Sequence, residues 1–311
     1  MSPLQSLLDE YLALRRTLGY KLCGQGKELQ QFVTFLAEEG ADCITLDLVL
    51  RWVMHRPYGN AGEWRRRRLG MIRQFAEFCC GRDPRTVVPP SDLLPDRYQR
   101  PTPHICRDED IVHLLDAAAT LPTTTGLRRS TYITLFGLYA VTGMRCSEAI
   151  RLDRDDVDFA DGVLTIRGTK FGKSRLVPVH STTLDALRDY AASRDRLCRT
   201  PRDPSFFLSE RGARLNHWTV TKTFVSLCRR IGVRKPGESG PRLHDLRHRM
   251  AVNTLIRWYR DGIDVERHLP ELSTYLGHVK VSDTYWYLTA TPELLHRAML
   301  RLELPESGIR P

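Results

Sequence analysis

Lysine is scarce in this chain of 311 residues, since the 47 basic residues include only 7 lysines. The 8 cysteines form no Cys-x-x-Cys unit, and no apolar run reaches the roughly 20 residues that a membrane helix needs. The absence of Cys-x-x-Cys units argues against a zinc site. Scattered cysteines of this kind are typical of proteins that keep their thiols reduced. We therefore expect a soluble, cytoplasmic protein without a metal centre or a membrane segment.

The positive charge runs along the whole chain. The net charge is +10 and the sequence pI about 9.4. Residues 1–100 hold 15 basic and 12 acidic residues, a net of +3, and the remaining +7 lies in residues 101–311. The composition favours a polyanionic partner that both parts of the chain bind, one from each side. The excess of arginine suits phosphate binding, because one guanidinium group can donate hydrogen bonds to two phosphate oxygens at once.

Proline divides the sequence into two predicted domains. Residues 1–83 show apolar residues at helical spacing and are predicted to form a helical domain. Residues 84–106 contain six prolines and are predicted to be a linker. Residues 107–311 are predicted to form the second, larger domain. We predict a mainly α fold with a small antiparallel β-sheet.

The second domain shows both helical and strand patterns. An apolar helix is predicted over 128–141, and an Asp161-Gly162 turn predicts a hairpin. Strands are predicted at 157–159, 163–166 and 176–179, and further helices at 184–193, 218–231, 246–259 and 292–302.

Arg145 follows the tight Thr142-Gly143 turn and precedes Glu148 by three residues. The carboxylate could orient the guanidinium towards a ligand. The same spacing also occurs in ordinary surface ion pairs, so this motif alone leaves both interpretations open.

Two further motifs carry cations. His244 and Arg247 are three residues apart and share a face if helical, so together they could bind one phosphate, whereas we expect His248 to point elsewhere. Lys170 lies in the loop between the second and third predicted strands. Lys173 lies in the same loop and is the alternative candidate for the functional lysine. A hairpin tip could deliver such an ammonium into a DNA groove.

Tyr287 lies nine residues after His278, and Tyr285 is two residues closer. Only one tyrosine can be a nucleophile, and we expect Tyr285 to pack in the core. Since a free phenol has a pKa near 10, attack at neutral pH needs cations and a base. Either His278 or His244 could assist.

In this order, the motifs resemble those of the tyrosine recombinases, the phage integrase family. The matching segments are the arginine box from Thr142 to Glu148, the hairpin segment KFGKSRLVP, the box His244-Asp245-Leu246-Arg247-His248, and Leu276-Gly277-His278 followed by Tyr287. The resemblance covers roughly residues 107–290, and the helical N-terminal part is similar to the family's core-binding domain. It implies that residues 1–83 are a DNA-binding domain and that residues 107–311 are the catalytic domain with its C-terminal helix.

The resemblance implies roles for six residues. It assigns phosphate binding to Arg145 and Arg247, hydrogen bonding and proton transfer to His244 and His278, acid catalysis to Lys170, and nucleophilic attack to Tyr287. It implies duplex DNA as the substrate, a homo-oligomer up to a tetramer, with or without sister recombinases, and no cofactor.

The Tyr285-Trp286-Tyr287 segment suggests a transposon-type member. A topoisomerase of the IB type and a catalytically silent DNA-binding protein are the alternatives. The C-terminal helix carries an apolar stripe that could dock on its own domain or on a neighbouring protomer, and the resemblance favours the neighbour.

Overall fold

The computed structural model describes residues 3–55, 61–94, 103–168, 174–235, 237–238, 240–289 and 291–303. The chain divides into two compact units, residues 1–101 and 102–311. The first unit contains four described helices, which are α1 (Pro3–Thr17), α2 (Cys23–Glu38), α3 (Leu46–Met54) and α4 (Ala61–Cys80).

The first unit is held together by apolar faces that all four helices contribute to one core. Phe32 of α2 packs against Trp52 of α3 with ring centroids 5.1 Å apart. Arg68, the last of the four consecutive arginines in α4, is also buried there. Its guanidinium lies over Trp52 and Trp64 and donates to the Trp52 carbonyl at 2.9 Å. One of these four arginines is therefore a core residue.

The second unit holds the remaining described elements. They are α5 (Asp108–Ala119), α6 (Leu127–Thr142), α7 (Cys146–Arg151), β1 (Val157–Asp158), β2 (Val163–Ile166), β3 (Arg175–Pro178), α8 (Ser181–Leu197), α9 (His217–Arg230), α10 (Asp245–Arg260), α11 (Val265–Leu276), α12 (Ser282–Tyr285) and α13 (Pro292–Glu303). Short 3₁₀ turns cover Arg154–Asp156 and Trp286–Thr289.

The sheet of the second unit has three antiparallel strands in the order β1-β2-β3. Val157 pairs with Leu164, and Leu164 in turn pairs with Val177. The turn between β1 and β2 contains Gly162 at φ +66°, as the Asp-Gly signal predicts. A mainly α fold with a small antiparallel sheet is thus confirmed.

The apolar helix α6 forms the centre of the second unit. It packs against α5, α8 and α10, and its buried residues include Leu135, Phe136 and Tyr139. A separate cluster joins α10, α11 and α13 around Leu255, Leu269 and Tyr287. The two clusters hold the ends of α6, α10 and α11 close together, where the candidate residues lie. Within the described residues, no helix has the length and apolar character needed to span a bilayer.

Candidate active site

Glu148 holds two arginines at the N-terminus of α7. Arg145 is the N-cap residue of this helix and donates from Nη1 to Glu148 Oε1 at 2.8 Å. Arg175 of β3 donates from Nη1 and Nη2 to the two carboxylate oxygens at 3.0 and 2.8 Å. The Glu148 side chain is only 6% exposed, so the interpretation as a surface ion pair is wrong. The carboxylate orients Arg145, as one reading of the motif predicted.

Arg247 ties the two tight turns of the site together. It is 2% exposed and donates to the Gly143 carbonyl at 2.8 Å and to the Leu276 carbonyl at 2.7 Å. Arg145 makes a parallel contact, because its Nη2 donates to the Gly277 carbonyl at 2.8 Å. Residues that are more than a hundred positions apart in sequence are thereby fixed side by side. We refer to Arg145 and Arg247 as the arginine pair.

Both turns depend on glycine. Gly143 ends α6 at φ +62°, and a Cβ there would lie 3.2 Å from the Met250 sulfur. Gly277 ends α11 at φ +70°, and a Cβ there would lie 2.6 Å from Arg175 Nη1. A positive φ strains other residues. These glycines therefore allow the carbonyl groups to turn towards the arginine pair.

Burial and positive charge lower the pKa values of three site residues. The pKa of His244 falls to about 4 because of burial and the neighbouring Arg247. The pKa of His278 also falls to about 4, through burial and then the charges of Arg247 and Arg145. Burial lowers the pKa of Arg247 to about 10, and this group stays cationic at neutral pH. The imidazoles of His244 and His278 are neutral there, and we call them the neutral histidine pair.

The tyrosine at position 287 lies inside this cluster. Tyr287 is 1% exposed, and its ring stacks on His278 with centroids 6.2 Å apart. The His278 Nδ1 is held by the Thr284 hydroxyl at 2.7 Å. Tyr285 is 45% exposed, so the expectation that it packs in the core is wrong. Tyr287 is buried and Tyr285 is exposed because a 3₁₀ turn begins at Trp286 and changes the direction in which successive side chains point.

Sequence reasoning missed two residues of the site. We expected His248 to point elsewhere, but its Nδ1 lies 3.2 Å from the Tyr287 hydroxyl. The four-residue spacing from His244 is the signal that could have identified it, since such residues share a helix face. Arg175, the second omission, lies in the same hairpin segment as Lys170. The loop that contains Lys170 and Lys173 lies outside the described residues.

The helix α13 lies against its own domain in the single chain. Leu294 is buried in the cluster of α10 and α11, and Glu293 pairs with Arg260 of α10 at 3.0 Å. Leu295 and Met299 remain 51% and 43% exposed. Docking on a neighbouring protomer concerns an assembly of chains and stays a prediction.

Comparison with known proteins gives a consistent result. The model of the phage integrase family matches residues 105–293. A protein of Sinorhizobium fredii that is named integrase/recombinase y4rB is 48% identical to this chain, over 97% of this chain and 98% of its own length.

Two solved structures share the fold. The Tn1549 transposon integrase in complex with transposon right end DNA has a TM-score of 0.65 at 16% identity, with 98% of this chain and 100% of that chain covered. A lambda integrase tetramer bound to a Holliday junction has a TM-score of 0.62 at 17% identity, with 90% and 76% covered. From the family match and the close relative, the chain belongs to the phage integrase family, the tyrosine recombinases.

Proposed function

We propose that the protein is a site-specific DNA recombinase that cuts and rejoins duplex DNA through a covalent bond between Tyr287 and a 3′ phosphate. The observation that carries this proposal is the convergence of the arginine pair, the neutral histidine pair and Tyr287 in one cluster. The names of its relative and of its structural neighbours, which are integrases, support the same reaction and a DNA substrate.

The arginine pair is suited to stabilising a phosphate that gains negative charge. In the pentacoordinate transition state the equatorial oxygens carry more charge than in the ground state. Two fixed guanidinium groups in a partly dry site stabilise that charge without reorganisation. The neutral histidine pair can donate hydrogen bonds to the same oxygens. It does not add the repulsion that two further cations beside Arg145 and Arg247 would cause.

The reaction needs no external energy source. The Tyr287 oxygen attacks phosphorus, a phosphorus–oxygen bond forms to the tyrosine, and the bond to the 5′ oxygen breaks. Lys170 is proposed to protonate that leaving oxygen. The new ester retains the bond energy, so a 5′ hydroxyl from another duplex can displace the tyrosine and rejoin the strand.

The burial of Tyr287 requires a movement before cleavage. A phosphate must come within about 3 Å of the attacking oxygen, yet the side chain is 1% exposed. The 3₁₀ turn that carries Tyr287 continues into α13 after only two residues. A displacement of α13 would therefore loosen the tyrosine, which is a reason to propose that assembly of protomers on DNA controls cleavage.

The assembly that we propose is a homo-oligomer on DNA, up to a tetramer, either alone or with sister recombinases. The tetrameric lambda integrase among the structural neighbours supports this arrangement. The proposed location is the cytoplasm, since the proposed substrate is DNA and the relative y4rB is from a bacterium.

The test is capture of the covalent adduct. A nicked suicide duplex would be made from the repeats in the DNA that flanks the gene, and the DNA-linked peptide would be mapped. We expect a link at Tyr287 that Tyr287→Phe abolishes and Tyr285→Phe retains. An adduct that survives Tyr287→Phe contradicts the proposed nucleophile, and no adduct with any flanking repeat contradicts the proposed reaction.

A further inference from the structure

Arg249 of α10 ties the start of the second unit to the helix that carries Arg247. Its Nε donates to the Cys106 carbonyl at 3.1 Å, and its guanidinium pairs with the Asp108 carboxylate. The Arg249 side chain is only 14% exposed. Both partners lie where the chain enters the second unit, which begins at residue 102. A largely buried arginine on a helix of the active site is therefore bonded to the end of the connecting chain.

The first residues of the second unit also reach the apolar groups around the active site. Ile105 packs against the cluster of α10, α11 and α13 that contains Tyr287. Cys106, the next residue, is buried in the cluster around α6. Asp108 is the first residue of α5. We refer to residues 105–108 as the entry segment. Its position is therefore linked to that of the active site by packing as well as by hydrogen bonds.

Arg247 and Arg249 face opposite sides of α10. Side chains two residues apart on a helix point about 200° away from each other. Arg247 donates to the carbonyl groups of Gly143 and Leu276, on the side where the phosphate is proposed to bind. Arg249 holds the entry segment on the other side. A displacement of the entry segment therefore moves the backbone that positions Arg247, unless the bonds of Arg249 break.

The composition of the connecting chain suits the transmission of such a displacement. Residues 84–106 include six prolines. Proline-rich segments act as semi-rigid spacers, whereas glycine-rich segments behave as flexible coils that absorb a displacement. At the end of this chain, the bond from the Arg249 guanidinium to a carbonyl is a charge-assisted hydrogen bond, which is stronger than a bond between neutral groups. The sequence and the contacts together favour a mechanical link from the connecting chain to α10.

We propose that Arg249 is a positioning residue that couples DNA binding by the first unit to the placement of Arg247. This inference rests on the proposed function. When DNA holds the first unit, the connecting chain sets the position of the entry segment. Arg249 transfers that position to α10, and Arg247 is brought to the geometry that stabilises the transition state. Arg249 acts through Arg247 and not on the phosphate itself.

The first test is the variant Arg249→Met, which keeps the apolar stem and removes the guanidinium. Adduct formation at saturating suicide duplex should slow on the order of 10- to 100-fold, because a small misplacement of a binding group is costly. The dissociation constant of the duplex should change little, since many phosphate contacts share the binding. Asp108→Asn should slow cleavage in the same direction. Glu109→Gln, at the next and also exposed position of α5, is its matched control and should leave the rate unchanged.

A flexible insertion separates coupling from support of the fold. A Gly-Ser-Gly-Ser segment placed between residues 98 and 99 should slow cleavage by the otherwise unchanged chain about tenfold, because the insertion absorbs the displacement. In Arg249→Met the same insertion should cause no further loss, since the link is already broken. Such non-additivity shows that both changes act on one pathway. If Arg249→Met has no cooperative melting curve, Asp108→Asn replaces it, because an exposed ion pair contributes little to stability.

The outcomes distinguish this inference from the proposed function. An Arg249→Met protein that cleaves at the wild-type rate overturns the role of Arg249. An insertion that leaves the wild-type rate unchanged also overturns it, as do losses that multiply when the two changes are combined. In each of these cases the wild-type chain still forms its adduct at Tyr287 and the proposed function stands. If the wild-type chain forms no adduct at Tyr287, the proposed function fails and this inference fails with it.

Discussion

Replacing Glu148 with glutamine should weaken both the fold and the reaction. Burial by itself raises the pKa of this carboxyl, but the hydrogen bonds and charges of Arg175 and Arg145 outweigh it and lower the pKa from 4.5 to about 2. At about 1.4 kcal/mol per pKa unit, the charged form contributes on the order of 3 kcal/mol at neutral pH. Removing one partner of a buried pair costs a similar amount, about 3–5 kcal/mol.

The assay for stability is thermal unfolding at neutral pH. For a unit of this size, about 3 kcal/mol corresponds to a decrease in Tm of roughly 6–12 °C. Glu266→Gln, on the exposed surface of α11, is the matched control and should change stability by less than about 0.5 kcal/mol. Cleavage by Glu148→Gln should also slow by about 100-fold, because Arg145 loses the group that orients it.

The pH dependence supplies an independent check. The folded pKa of Glu148 is below its unfolded value, so its contribution is fully present above about 4.5 and is lost as the pH falls towards about 2. The stability difference between wild type and Glu148→Gln should therefore narrow over that window. A variant as stable as wild type at pH 7, or a difference that stays constant down to pH 2, would refute the reasoning.

Three other perturbations test the turn after α11, the neutral histidine pair and the hairpin lysine. Gly277→Ala should lower the free energy of unfolding by about 2 kcal/mol or more, because backbone strain at φ +70° adds to the close approach of the new Cβ to Arg175 at 2.6 Å. The control Gly262→Ala has the same φ but no atom within 4 Å of the new Cβ, so it should cost less. Equal melting temperatures of the two variants would show that the Arg175 contact adds nothing. Without DNA, His244 and His278 should each lower the free energy of unfolding by about 2 kcal/mol between pH 6.5 and pH 5. Their pKa values are about 4 in the folded chain and 6.5 in the unfolded chain, so the unfolded chain binds more protons over this range. A flat melting temperature over that range contradicts those pKa values. A 5′-bridging sulfur, which leaves without an acid, should rescue cleavage by Lys170→Ala but not by an alanine variant of the arginine pair, and failure of that rescue rejects the lysine as the acid.

Local sequence patterns were sufficient for the fold class. The spacing of apolar residues along α6 and α10, and the Asp-Gly turn before β2, depend on neighbours within a few residues, and such patterns have one main structural solution. The pairing of Arg145 with Glu148 was also accessible, because both belong to one capping turn.

Wrong predictions occurred where helix geometry changes. Tyr285 was expected in the core because it stands beside Trp286. The two tyrosines lie on either side of the change from α12 to a 3₁₀ turn, and Tyr287 is the buried one. His248 was expected to turn away because only the three-residue spacing of His244 and Arg247 was considered. Its contact with Tyr287 spans 39 positions, and no local pattern encodes such a contact.

By itself, the sequence determined which chemical groups are present, their order, and the family to which they belong. The tertiary structure decided which groups meet. Arg247 reaches the carbonyl groups of Gly143 and Leu276 only because the ends of α6, α10 and α11 converge in the second unit. Arg175 joins Glu148 only because β3 passes beside the N-terminus of α7. The protonation states follow from the same convergence, since burial and the summed field of distant cations exist only once the chain has folded.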